Sequence, residues 1–233
     1  MTVDPLQSAA HTEGARLQLL TSRESIEGVA AVLCAADRVR YLTPELHAQM
    51  VGELRWPGDP MVDSGIDVRD LGLDPTDIGI LDILRRSDVM AHLAEWHAGT
   101  RLGDYVRERI SASSAVAVVF GDGEELTDYA RGGAAGEAVW IVAQQRGLAV
   151  HPVTPTFMYA NRPDELYDLS PTFSQLHDQL QRGFRELAGA ERTEREALIL
   201  RLFNAPPTSR RSRRRSLDRC SAAVASRSRP GPG

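Results

Sequence analysis

The sequence predicts an α+β fold, a sheet packed with helices around a central buried helix. Three observations point there. Short β-like runs at 15–20, 113–123 and 148–157 are separated by longer stretches of helical period. The segment from Ala134 to Gln145 is apolar on nearly every side, which places it in a core or an interface. Apolar residues make up 42% of the chain, enough to build a core.

The elements follow in order. The first residues, 1–14, carry no strong pattern and are expected to be disordered. ARLQLL (15–20) reads as a strand, and TSRESIEGVAAVLCAADRV as a helix capped by Thr21 or Ser22, with acids in its first turn. TPELHAQMVGEL (43–54) is a second helix: Thr43 caps it, Pro44 sits at its first position, and Leu46, Met50, Val51 and Leu54 share a face. Residues 56–77 form a loop rich in Gly, Pro and Asp, and Asp74 opens a helix over 75–86. VMAHLAEWHAG and RLGDYVRERIS add two helical stretches. SSAVAVVFGDG (113–123) is a buried strand, a continuous apolar run bounded by glycines. A glycine-rich turn at 131–136 leads into the apolar helix 134–145, which Gly147 stops. LAVHPVTPTF (148–157) is a strand ended by prolines. Residues 164–200 read as polar and helical. From 205 to 233 the chain is rich in Pro, Ser, Arg and Gly, and a disordered basic tail is expected.

Several chemistries are excluded. All 27 basic residues are arginine, so no P-loop lysine, Schiff-base lysine or lysine general base exists. After the strand at 113–120, Gly121 and Gly123 are followed by Leu126 where a dinucleotide fingerprint needs a third glycine. His92 and His97 are five residues apart and do not share a helix face, so they read as surface or packing histidines. The aspartates at 63, 67, 70, 74 and 77 miss the calcium-loop spacing. No metal site and no GxSxG nucleophile is predicted. Cys34 and Cys220 are distant and form no CxxC pair. Cys34 reads as a buried structural thiol, and the compartment as reducing and cytoplasmic. No stretch of 18 apolar residues occurs, so no membrane span is predicted.

Charge is divided unevenly. Residues 210–233 hold eight arginines and one acid, Asp218, while the whole chain has a formal charge of −5. The tail RRSRRRS (210–216) is either a phosphate-binding cluster or a solvated basic end. The acidic body argues against nucleic acid as its partner.

The order of elements resembles a known family. The carriers are ELRW (53–56), RGGAAGEAVWIVAQQRGLAVHPVTPTF (131–157) and RSRRRSLD (211–218). Over residues 15–218 the chain is similar to the C-terminal two-thirds of FMN-dependent nitroreductases. It is most similar to a divergent actinobacterial branch in which such a domain follows a ThiF-like adenylating domain, some members being labelled molybdopterin-biosynthesis proteins. The resemblance implies a homodimer centred on the apolar helix, with a ThiF-like domain as the alternative partner. It places the flavin ring against Pro152, Val153, Thr154 and Pro155. Many relatives carry Glu-Gly at 154–155. Pro155 has no N–H, so only the Thr154 amide is left to reach the flavin edge. The resemblance also assigns the FMN phosphate to Arg213, Arg214 and Arg215, and NAD(P)H as reductant. It names no catalytic acid or base.

Departures are equally specific. The family's N-terminal arginine-serine phosphate motif is absent, as is its Pro-Ser…Asn…Gln-Pro-Trp segment. CSAAVASRSRPGPG (220–233) fits no family pattern. The chain therefore reads as an N-terminally truncated copy: a partial nitroreductase-like domain over 15–204 with an incomplete FMN site. The function expected is an FMN-dependent NAD(P)H oxidoreductase, partial or impaired. The alternative is a non-catalytic dimerisation or partner module of a ThiF-like protein.

Overall fold

A computed structural model describes residues 5–59, 64–123, 125–160 and 162–206. Four antiparallel strands form its sheet, in the order β1 (Arg16–Leu20), β4 (Ala115–Asp122), β6 (Glu194–Phe203), β5 (Ala149–Val153). A separate parallel pair joins β2 (Leu54–Arg55) to β3 (Ile66–Asp67).

The strand β4 explains the layering. Successive side chains leave a strand on opposite faces. Val116, Val118 and Phe120 enter one core with Ile26, Val29 and Leu33 of helix α2 (Arg23–Leu42) and Phe184 of α9 (Ser174–Leu187). Ala115, Ala117 and Val119 enter a second core with Ala135, Val139 and Ala143 of α7 (Leu126–Gln145). Helices therefore cover both faces, and β4 is apolar from Ala115 to Phe120, where neither face meets water. Helix α2 is the most buried helix: seven of its residues from Ile26 to Leu42, forming one face, are closed from solvent. Its start is as predicted, since the Ser22 side chain accepts from the Ser25 amide.

Of the other predicted caps, one holds and one does not. Asp74 accepts from the amides of Thr76 and Asp77 and starts α4 (Pro75–Leu84). Thr43 precedes α3 (Pro44–Glu53), but its hydroxyl makes no cap bond. It pairs instead with the Ser170 hydroxyl at 2.8 Å, deep in the fold. The helical stretches after α4 are α5 (Ser87–Glu95) and α6 (Asp104–Ser111).

Three expectations are corrected. Residues Pro5–Thr12 form a helix, α1, rather than a disordered start. Leu6 and Ala10, one turn apart, are buried in the second core together with α7 residues. The region 164–200 is not wholly helical. After α8 (Pro163–Leu169) and α9, the segment EREALILRLF is the strand β6, hydrogen-bonded on both sides. Its Glu, Arg, Ala and Leu favour helices intrinsically, and pairing with two strands overrides that preference.

The third correction concerns the glycine-rich turn. Helix α7 starts at Leu126, where Asp128 Oδ2 accepts from the Glu125 amide at 3.0 Å, so Gly132 and Gly133 lie inside it. A Cβ on Gly132 would stand 2.5 Å from the Ala197 Cβ, and one on Gly136 would stand 2.7 Å from Leu198 Cδ2. The glycines let the helix settle directly on β6. The opposite face of α7 is open, with Ile141 46% exposed.

Candidate functional site

A cavity of about 160 Å³ lies where the edge strand β5 meets α2 and α6. Pro152, Val153, Thr154 and Pro155 form one wall. Asp37 and Arg40, one turn apart on α2, form the other, with Leu33 and Val106 supplying apolar surface. His151 completes the lining. The four turn residues picked out in the sequence thus share one cavity. Arg213, Arg214 and Arg215 fall outside the described residues.

Local chemistry explains the turn. Pro152 sits in an edge strand, where a missing N–H is tolerated. Pro155 then leads into a short 3-10 turn, Thr156–Tyr159, and the chain dives inward at Thr156 and Phe157. The Thr156 hydroxyl donates to the Ala36 carbonyl of α2 at 3.3 Å. Phe157 stacks at a tilt on Phe184, centroids 5.4 Å apart. These anchors hold the turn against α2.

Arg40 and Asp37 were not singled out in the sequence. Arg40 donates from Nη2 to the Thr154 carbonyl, so α2 grips the turn directly. Its Nε is 4.0 Å from Asp37 Oδ1, has no hydrogen-bond partner and is closed from solvent. Burial pushes the Asp37 carboxyl up from its ordinary pKa, and the Arg40 charge only partly offsets this. Burial also raises the neighbouring Tyr41 phenol, which stays protonated. The cavity wall therefore carries one cationic donor with spare capacity beside a carboxyl inclined to hold its proton. The spacing of Asp37 and Arg40 on the helix was visible, but nothing local marked the face that meets the turn.

Other candidates behave as surface or packing groups. His92 stacks on Trp96 at 5.4 Å, and its Nδ1 lies 3.6 Å from Glu95. Cys34 is partly buried, and burial raises its thiol pKa, which makes it a poor nucleophile. No cluster of three metal-ligating side chains occurs among the described residues. No helix among them is long and apolar enough to cross a membrane.

No family model matches the chain. Over 215 residues, 92% of its length, the chain is 59% identical to the uncharacterized protein MT1398 of Mycobacterium tuberculosis (strain CDC 1551 / Oshkosh). It spans 30% of the length of that protein. Among solved structures it is similar to oxidized iodotyrosine deiodinase bound to FMN and 3-iodo-L-tyrosine. The TM-score is 0.47 at 11% identity, over 93% of this chain and 86% of that one. It is similar to a nitroreductase-like family protein from Bacillus cereus, with a TM-score of 0.45 at 13% identity, over 94% and 83% of the two chains. The FMN and NADPH-dependent nitroreductase NfnB from Sphigopyxis sp. strain HMH gives 0.44 at 14% identity, over 94% and 89%.

Proposed function

We propose that the chain is a nitroreductase-like flavin module whose cavity between α2 and the turn Pro152–Pro155 takes one edge of FMN. The supporting observation is convergence. The four residues chosen by sequence resemblance line one cavity, and the wall facing them holds a buried donor without a hydrogen bond, Arg40 Nε, at 4.0 Å from the Asp37 carboxyl. A ring carbonyl or ring nitrogen suits that donor. The Thr154 amide remains the backbone donor of the turn's last two residues, because Pro155 has none.

Fit sets a limit. Ligand pockets usually span about 300–1,000 Å³, and this cavity holds about 160 Å³. A single chain therefore supplies one edge of a flavin site, and a second copy would supply the rest in the homodimer that the resemblance implies. Arg213, Arg214 and Arg215 are proposed for the phosphate. Bound FMN would supply hydride relay from NAD(P)H to an acceptor. The chain's own part is placement: Arg40 fixes the turn, and Leu33 and Val106 exclude water.

A second reading is a non-catalytic dimerisation or partner module of a ThiF-like, molybdopterin-biosynthesis-type protein in the cytoplasm. Exposed apolar surface favours it: Ile80 and Ile83 on α4, which buries no residue, with Trp96 and Leu126 elsewhere.

An FMN titration followed by flavin fluorescence separates the two. Saturable binding that is lost when Arg213, Arg214 and Arg215 are changed to alanine supports the flavin reading and justifies NAD(P)H assays. No binding at high micromolar FMN sinks it and leaves the partner module.

A further inference from the structure

Beside the cavity stand two arginines that form no ion pair among the described residues. Arg201 lies on the central strand β6, directly opposite His151 of β5 in register. It follows Ile199 by two residues, so it belongs to the sheet face covered by α2. It is 5% exposed, and its Nε has no hydrogen-bond partner. Its guanidinium rests on the Phe203 ring at 4.0 Å and forms no ion pair among the described residues.

A second guanidinium approaches from α6. Arg109 stacks on Tyr105 at 4.2 Å, and its buried Nε also lacks a partner. Its Nη2 reaches the Leu71 and Gly72 carbonyls only at 3.4 Å. Arg109 forms no ion pair among the described residues either. The two cations sense each other: burial lowers the Arg201 pKa, and Arg109 lowers it further. Partial burial first, then Arg201, then Arg109 hold the His151 imidazole below its ordinary value, although the residue is exposed overall. The Asp77 carboxylate acts on the Tyr105 phenol, on which Arg109 stacks.

A buried cation without a partner costs stability, and two neighbouring ones cost more. Such an arrangement persists readily when an external anion completes it. We infer that Arg109 and Arg201, with His151 at the mouth, bind a doubly charged oxyanion of the phosphate class beside the cavity. Two guanidinium groups match its charge, and their N–H forks match its oxygens. The inference does not rest on flavin binding.

The test is thermal melting of the full chain with inorganic phosphate from micromolar to low millimolar concentration, ionic strength being held constant with chloride. A saturable rise of about 5 °C is expected once phosphate is a hundredfold above its Kd. Arg201→Met should lose that rise and, in phosphate-free buffer, melt higher than the parent because an unpaired buried charge is gone. Arg109→Gln should weaken the response at least tenfold. Arg146→Met, an exposed arginine at the end of α7, should keep it. No rise, or a non-saturating rise shared by Arg201→Met as general salt exclusion would give, overturns the proposal. So does a lower phosphate-free melting point of Arg201→Met, which marks a packing role. FMN binding without a phosphate response, or the reverse, tells the fate of the two proposals apart.

Discussion

Arg40 of α2 donates from Nη2 to the carbonyl of Thr154, a residue 114 positions later in the chain. This bond, and that of Thr156 to Ala36, hold the edge-strand turn onto the most buried helix. Arg40→Met should cost about 1 kcal/mol, since its side chain is partly open and solvent screens it. If the flavin reading is right, FMN affinity should fall about tenfold while the melting temperature drops only a few degrees. Asp37→Asn should act oppositely on stability. The Asp37 carboxyl has its folded pKa raised, so its contribution is fully present below the unfolded value and is lost as pH rises through the folded one. Removing it should raise the melting temperature at neutral pH. A fall there would show that its charge is compensated.

Neighbouring glycines in α7 should respond with opposite signs. Gly132→Ala drives a Cβ to within 2.5 Å of Ala197, whereas Gly133→Ala meets nothing within 4 Å. Overpacking costs about 1–3 kcal/mol, and helix propensity returns about 1 kcal/mol. Gly132→Ala should therefore lower the melting temperature by about 2–4 °C, and Gly133→Ala should raise it slightly. Equal responses would mean that α7 does not lie directly on β6.

Glu194 is almost fully buried and accepts two bonds from Arg16, at 2.5 and 2.7 Å, which ties β1 to β6 across the sheet. The Arg16 hydrogen bond holds the Glu194 carboxyl below its ordinary pKa. The stability it contributes is present at neutral pH and is lost as pH falls through the folded value. Arg16 is about a third exposed, so a double-mutant cycle with Arg16→Met and Glu194→Gln should give a coupling near 1 kcal/mol. A coupling of zero at neutral pH would remove the pair from the account of sheet stability.

His177 of α9 is fully buried with both ring nitrogens unpartnered, and burial lowers its pKa to about 4. The unfolded chain therefore binds a proton that the folded chain refuses. Stability is complete above the unfolded value near 6.5 and should decline by about 3 kcal/mol as pH falls towards 4. His177→Leu should remove that acid-side decline, measured by urea unfolding between pH 7 and pH 4. An unchanged slope in the variant would place the decline on other groups.

Local pattern carried much of the fold. Ser22 and Asp74 announced their helices because a cap is a short-range bond. The apolar run of β4 announced a strand buried on both faces. The resemblance drew notice to Pro152–Pro155, and prolines at a sheet edge are physically sensible there.

What the sequence by itself determined is the α+β class, the starts of α2, α3 and α4, the strands β1, β4 and β5, and the absence of lysine chemistry. Each rests on residues within a few positions of one another. Tertiary structure alone decided that EREALILRLF is a central strand, because pairing on two sides outweighs helix propensity. It alone buried Leu6 and Ala10, and it continued α7 through its glycines where β6 comes close. It alone brought Asp37 and Arg40 to Thr154, and set Arg109 of α6 within electrostatic reach of Arg201, since these groups come together only when distant segments close on one sheet. Their charge and burial, which give the site its chemistry, are properties of that closure.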